Sequence, residues 1–162
     1  MKIFSIVGWS GSRKTTLITR LIKHFKALDK KVAAVKHAPH KYYIEPESAD
    51  TFKFLKAGAD EACLAAKNEL LTMRLVTEKT DMPALLKSKY ADYDILLLEG
   101  LRNENIPLIE VFDTHKNETL KFPLASLCAI VSDKPVVTDG TIPNFNIDAI
   151  DDIIHFMEVY NE

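Results

Sequence analysis

The chain has 162 residues, of which 47% are hydrophobic and 27% charged, with a formal net charge of −2; this suits one domain, 1–162, with a full core. No basic excess exists to neutralise a run of phosphates, which argues against a general nucleic-acid binder. Cys63 and Cys128 stand alone, with no Cys-x-x-Cys pair, which argues against a disulfide framework or a thiolate zinc site and for a reduced interior.

Lys2 to Val7 is mostly apolar, broken by Ser5, and reads as a central strand. Gly8-Trp9-Ser10-Gly11-Ser12-Arg13-Lys14-Thr15-Thr16 follows it directly. Residues 15–28 then place Leu17, Leu21, Ile22, Phe25 and Leu28 at helical spacing. Strand, small-residue loop, Lys-Thr and helix together form the layout of a phosphate-binding loop. Backbone N–H groups of such a loop, and those at the helix start, converge on anionic oxygens. Lys14 would reach the outer phosphates, and Thr15 would offer its hydroxyl to magnesium. The pattern G-x-x-x-x-G-K-[ST] has glycine where this chain has Arg13, which brings a Cβ and a long cation able to bond a phosphate oxygen. Trp9 either covers a ligand or shields the turn.

After the polar turn Asp29-Lys30-Lys31, Val32 to Val35 is a second strand, ending at Lys36-His37. Residues 38–49 have no regular period and carry Pro39 and Pro46, the mark of a long functional loop. Asp50 to Ala57 reads as a helix stopped by Gly58, with Ser48 as its cap. Glu61 to Ala66 and Leu70 to Val76 are short strands; Thr80 or Asp81 caps a helix from about Pro83 to Lys89. Tyr93 to Glu99 holds four consecutive aliphatics and reads as a buried parallel strand, with Asp94 as a structural cap at its start. Leu108–Phe112 and Leu127–Val131 are further strands, and Asp148 caps a last helix from Ala149 to about Tyr160. Strands and helices alternate, so the fold expected is α/β, three-layered, with a mostly parallel sheet. No stretch reaches membrane-spanning length and no signal-peptide core is present, so a cytoplasmic protein without a membrane partner is expected.

Three further groups would lie at the carboxyl edge of that sheet. Glu99 closes the buried aliphatic strand; it is either the magnesium-side carboxylate or simply the strand's end. Lys36-His37-Ala38-Pro39-His40-Lys41 forms a cationic rim, read either as an anion-contacting loop around His37 and His40 or as solvated surface. Asp133, after the strand Ala129-Ile130-Val131, either accepts the N–H groups of guanine, an edge that adenine lacks, or merely ends a strand.

Together, the loop Gly8–Thr16, Val35-Lys36-His37 with His40, Asp50-Thr51, Lys56-Ala57-Gly58-Ala59 and Leu98-Glu99-Gly100 resemble, in order and spacing, the molybdopterin-guanine dinucleotide biosynthesis protein B (MobB) family. The resemblance spans nearly the whole chain. It implies a P-loop α/β domain that forms a homodimer and binds GTP and magnesium (Mg2+). It implies an accessory role beside the molybdenum cofactor guanylyltransferase and other cofactor-maturation proteins, with molybdopterin as a partner molecule and weak GTP hydrolysis at most. By resemblance Gly11, Lys14, Thr15 and Thr16 hold phosphates and magnesium, Glu99 sits near the metal, His37 and His40 face the ligand groove, and Asp50 starts a helix beside it. The chain departs from the family at Arg13, in place of the loop glycine, and at Lys41, Glu45 and Glu47-Ser48; these bear on metal occupancy and hydrolysis more than on the fold. A different class of function, a small-molecule kinase of P-loop topology, would instead show phosphate transfer from ATP to an acceptor.

Overall fold

A computed structural model describes residues 1–38, 46–138 and 140–161. The described chain forms two compact units, Met1–His37 with Lys87–Glu162, and Ala38–Leu86.

The first unit is built on a six-stranded sheet. Its strands are β1 (Lys2–Val7), β2 (Val32–Lys36), β5 (Ile95–Glu99), β6 (Leu108–Phe112), β7 (Ala129–Ser132) and β8 (Asn144–Asn146), in the order β2-β5-β1-β6-β7-β8. Every pairing in it is parallel. β1 is central, as its apolar run requires, and its one interior polar side chain is satisfied: the buried Ser5 hydroxyl donates to the Leu101 carbonyl. Leu96, Leu97 and Leu98 of β5 are fully buried between β1 and β2.

Helix α1 (Lys14–Ala27) buries Leu17, Ile18, Leu21 and Phe25, and α4 (Ile150–Val159) buries Ile153, Ile154 and Met157. Both sets join Phe4, Ile6, Ile109 and Val111 in one core cluster. Each large side chain so buried contributes roughly 1.5–3 kcal/mol, so α1 is held hard against the sheet and its first turn is placed where β1 ends. On the opposite face, Val7, Leu108, Phe112 and Ile130 form a second cluster, covered by side chains of the loop segments on either side of β7, among them Leu120, Phe122, Val136 and Ile142.

The second unit carries α2 (Asp50–Lys56), the antiparallel pair β3 (Ala62–Ala65) and β4 (Leu70–Met73), and most of α3 (Met82–Lys89). Asp81 rather than Thr80 caps α3, its carboxylate accepting the Ala84 N–H at 3.0 Å. Two expected caps differ. Ser48 does not cap α2, whose N-cap is Ala49, and Asp148 does not cap α4, because its carboxylate pairs with Arg20 at 2.8 Å instead. Asp94 does cap locally, accepting the Lys31 N–H at 2.7 Å. Among the described residues no helix is long and apolar enough to cross a membrane.

Candidate functional site

Residues 8–13 turn from the end of β1 into α1. Gly8 adopts φ 137°, and a Cβ there would stand 2.4 Å from the Val111 carbonyl oxygen and 2.9 Å from Ser12 Oγ, so the chain can pass β6 only as glycine. Arg13 is the N-cap of α1, in the left-handed region at φ 69°, ψ 22°. No side chain caps the helix there and no acidic residue stands in its first turn, so its amide groups and the positive end of its dipole face the opening. That opening is a cleft of about 420 Å³ lined by residues 10–16, Lys36 and Glu99, within the roughly 300–1,000 Å³ usual for small-molecule sites. The buried Ser12 hydroxyl lacks a hydrogen-bond partner among the described residues.

On the β5 side, Lys14 folds back onto the loop. Its ammonium donates to the Trp9 carbonyl at 2.7 Å and lies 3.3 Å from the Gly8 carbonyl. Burial lowers its pKa, Glu99 opposes that, and the like charges of Lys121 and Lys36 add to it. The Thr15 hydroxyl donates to Glu99 Oε2 at 2.7 Å. Lys36, the register partner of Glu99 on β2, places its ammonium 3.6 Å from Oε1. A hydroxyl and a carboxylate in contact are the hard oxygen donors that magnesium takes together with phosphate oxygens, so Thr15 and Glu99 fit that ion. The His37 N–H donates to the Glu99 carbonyl at 2.9 Å, and its ring is exposed at the same edge. His40 and Lys41 lie outside the described residues. Asp50 belongs to the second unit, where it opens α2 and pairs with Lys53 at 2.7 Å.

On the β6–β7 side, the Arg13 guanidinium reaches sideways between two carboxylates. Its Nε lies 3.7 Å from Asp113 Oδ2, and its Nη2 lies 3.6 Å from Asp133 Oδ1. Asp133 also accepts the Thr114 N–H and the Thr114 hydroxyl, both at 2.9 Å, and faces His115 Nε2 at 3.1 Å. The Thr114 N–H is the main cause holding the Asp133 carboxyl below its ordinary range, helped by the Thr114 hydroxyl and by His115. The segment after β6 lies along the loop. The Lys116 ammonium donates to the Gly11 carbonyl at 3.0 Å, and Trp9 Nε1 donates to the Thr119 carbonyl at 3.0 Å. The Lys121 ammonium sits 5.5 Å from the Trp9 ring centroid, a cation–π contact. Trp9 is thus engaged by this segment.

The structure therefore brings Gly8, Ser10, Gly11, Ser12, Arg13, Lys14, Thr15, Thr16, Glu99 and His37 to one edge, with Asp133 beside Arg13. Sequence reasoning missed Asp113, Thr114, Lys116, Lys121 and Glu110. Glu110 is fully buried in β6 and accepts the Lys121 and Phe122 N–H groups at 2.6 and 3.0 Å, which ties residues 121–122 to the strand; burial raises its pKa, and those two bonds oppose the rise. A signal existed for it, since a lone carboxylate inside Leu-Ile-Glu-Val-Phe has to find donors. Nothing in the sequence marked Asp113 beyond its place after a strand.

Comparison with known proteins gives one consistent answer. Residues 3–133 match the family model described as molybdopterin guanine dinucleotide synthesis protein B. The chain is 29% identical to the molybdopterin-guanine dinucleotide biosynthesis adapter protein of Haemophilus influenzae, over 96% of this chain and 87% of that one. It is 26% identical to the protein of the same name from Escherichia coli, over 98% of this chain and 95% of that one. A solved MobB homologue from Bacillus stearothermophilus superposes with a TM-score of 0.68 over 99% of this chain and 100% of its own; at 19% identity that likeness shows the α/β fold with its mostly parallel sheet.

Proposed function

Because this chain belongs to the molybdopterin guanine dinucleotide synthesis protein B family, we propose that it is a GTP-binding accessory protein of molybdenum cofactor maturation that takes GTP with magnesium at the loop 8–16. The carrying observation is the contact of Thr15 with Glu99 beside an ammonium, Lys14, that among the described residues is bonded only to loop carbonyls. The backbone N–H groups of residues 11–16 cradle the phosphates, and Lys14 exchanges the Gly8 and Trp9 carbonyls for the outer phosphate oxygens. Thr15 and Glu99 hold the magnesium ion, which neutralises phosphate charge when bound. Asp133 reads the guanine edge, and Lys36, His37 and His40 supply positive charge for an anionic partner molecule such as molybdopterin.

Glu99 is the one carboxylate lining the cleft among the described residues. Engaged with the metal, it is not available to orient a water, so hydrolysis is slow or absent. The protein then works by presenting nucleotide, as a cytoplasmic homodimer beside the guanylyltransferase and other maturation proteins. This fits the adapter named among its relatives.

The test is thermal protection. Millimolar GTP with magnesium should raise the unfolding temperature, because a ligand bound to the folded state alone stabilises it by RT ln(1 + [L]/Kd). Lys14→Ala should weaken GTP binding at least tenfold, the loss of a charge-assisted contact. Failure of GTP to protect the wild-type protein at millimolar concentration overturns the proposal.

A further inference from the structure

We propose that Arg13 is the specificity-determining residue of the nucleotide site: its guanidinium holds the Asp133 acceptors that the guanine edge needs, so guanine binds by displacing it. This rests on the nucleotide reading above and says what limits it.

The argument is one of acceptor capacity. An ionised carboxylate offers about four lone-pair sites on its two oxygens. In Asp133, Oδ1 takes the Thr114 N–H and faces Arg13, while Oδ2 takes the Thr114 hydroxyl and faces His115. Thr114 takes one position on each oxygen by a hydrogen bond, and Arg13 and His115 stand before the other two, so a base meets a protein side chain at each. The two Thr114 bonds come from the chain directly after β6, where the turn fixes them. His115 and Arg13 are the exchangeable partners: their side chains are 66% and 37% exposed, against 13% for Asp133.

Arg13 is the weaker of the two. It stands 3.6 Å from Asp133, beyond hydrogen-bond length, and its buried Nε has no hydrogen bond among the described residues, so charge holds it there. It is also the residue in the way. Its backbone stands at the helix start, where the nucleotide reading puts the phosphates, and its side chain runs from there to Asp133, so a base reaching that carboxylate has to move it aside. Guanine brings an N–H and an amino group on one edge and can replace a guanidinium on a carboxylate. Adenine sets a ring nitrogen lone pair beside its amino group, and that lone pair repels a carboxylate. Glycine, the residue usual in this loop pattern, adopts φ 69° freely and has no side chain to compete.

Dissociation constants for GTP and ATP, each with magnesium, test this by calorimetry on the wild-type protein, Arg13→Gly, Asp113→Asn and Arg13→Gly with Asp133→Asn. Arg13→Gly should strengthen GTP binding about tenfold and leave ATP within about twofold. The added Asp133→Asn should cancel the gain for GTP. Asp113→Asn loosens the other anchor of Arg13 without touching Asp133, and should shift the GTP to ATP ratio the same way by a smaller factor; it carries the test alone should Arg13→Gly not fold. An unchanged ratio in both variants, or equal gains for GTP and ATP, overturns the proposal while the nucleotide reading stands. Absence of binding by either nucleotide to every variant overturns both.

Discussion

The loop 8–16 has two flanks, and they are built to opposite rules. Toward β5 and β2, Thr15, Glu99 and Lys36 meet through one hydrogen bond of 2.7 Å and one ion pair of 3.6 Å, and an open cleft lies beside them. Toward β6 and β7, Arg13, Asp113, Thr114, His115, Lys116 and Asp133 answer one another almost completely, and the Asp113 and Asp133 side chains are largely buried. The first flank is poised for exchange, because a metal ion and phosphates can replace its few bonds with better ones. The second is closed, because any ligand there has to displace a protein donor first. Arg13 thus shapes the β6–β7 side of the loop while the Thr15–Glu99 contact on the other side is left intact.

Gly8 joins the two flanks, and replacing it should have the largest effect. Gly8→Ala forces a Cβ to within 2.4 Å of the Val111 carbonyl, a backbone atom that cannot turn aside, at a φ that alanine rarely adopts. We expect a loss of about 3 kcal/mol or more in urea-denaturation stability. A loss under about 1 kcal/mol would mean that the loop can leave β6 freely, and the contrast between a fixed and an exchangeable flank would fail. Thr15→Ala should act on the open flank alone. Affinity for GTP in the presence of magnesium should fall about tenfold, while affinity in chelator stays within about twofold, because the hydroxyl serves the ion. Thr15→Ser should restore the difference. Equal losses with and without magnesium would remove Thr15 from the metal side.

The open flank was legible in the sequence and the closed one was not. Lys14, Thr15 and Glu99 announce themselves by position: an ammonium and a hydroxyl after a small-residue loop, and a carboxylate at the end of four buried aliphatics. Chain direction alone puts all three at one sheet edge, and the pairing of Ile6 with Glu99 bears that out. The strands β1, β2, β5 and β6 and the helix α1 were legible for the same reason, since periodicity and burial coincide in them. β8 was missed because Asn144-Phe145-Asn146 is short and polar, and pairing with β7 makes it a strand. The Arg13–Asp113–Asp133 grouping was hidden because Asp113 and Asp133 end different strands, twenty residues apart in the chain. Only the pairing of β6 with β7 makes them neighbours. Arg13 was visible as a departure, but the direction of its side chain is set by those two carboxylates, which no local pattern reports.

The smallest effect expected is also the most particular to the closed flank. The Asp133 carboxyl is held below its ordinary pKa of 3.8, first by the Thr114 N–H. A carboxyl whose folded pKa lies below its unfolded one stabilises the fold fully above the unfolded value, and that contribution disappears as pH falls through the folded one. Arg13 and His115 face the same carboxylate. Urea midpoints followed downward from pH 6 should therefore run parallel for the wild-type protein and Asp133→Asn until about pH 5, then converge below about pH 4, as protonation makes the wild-type carboxyl resemble the amide. The amide keeps one oxygen for Thr114, so the offset above pH 5 should itself be small, within about 1 kcal/mol. Curves that stay parallel down to pH 3 would mean that Asp133 is not held by its partners in its ionised form. The closed flank would then be open to a base after all, and the difference between the two sides of the loop would vanish.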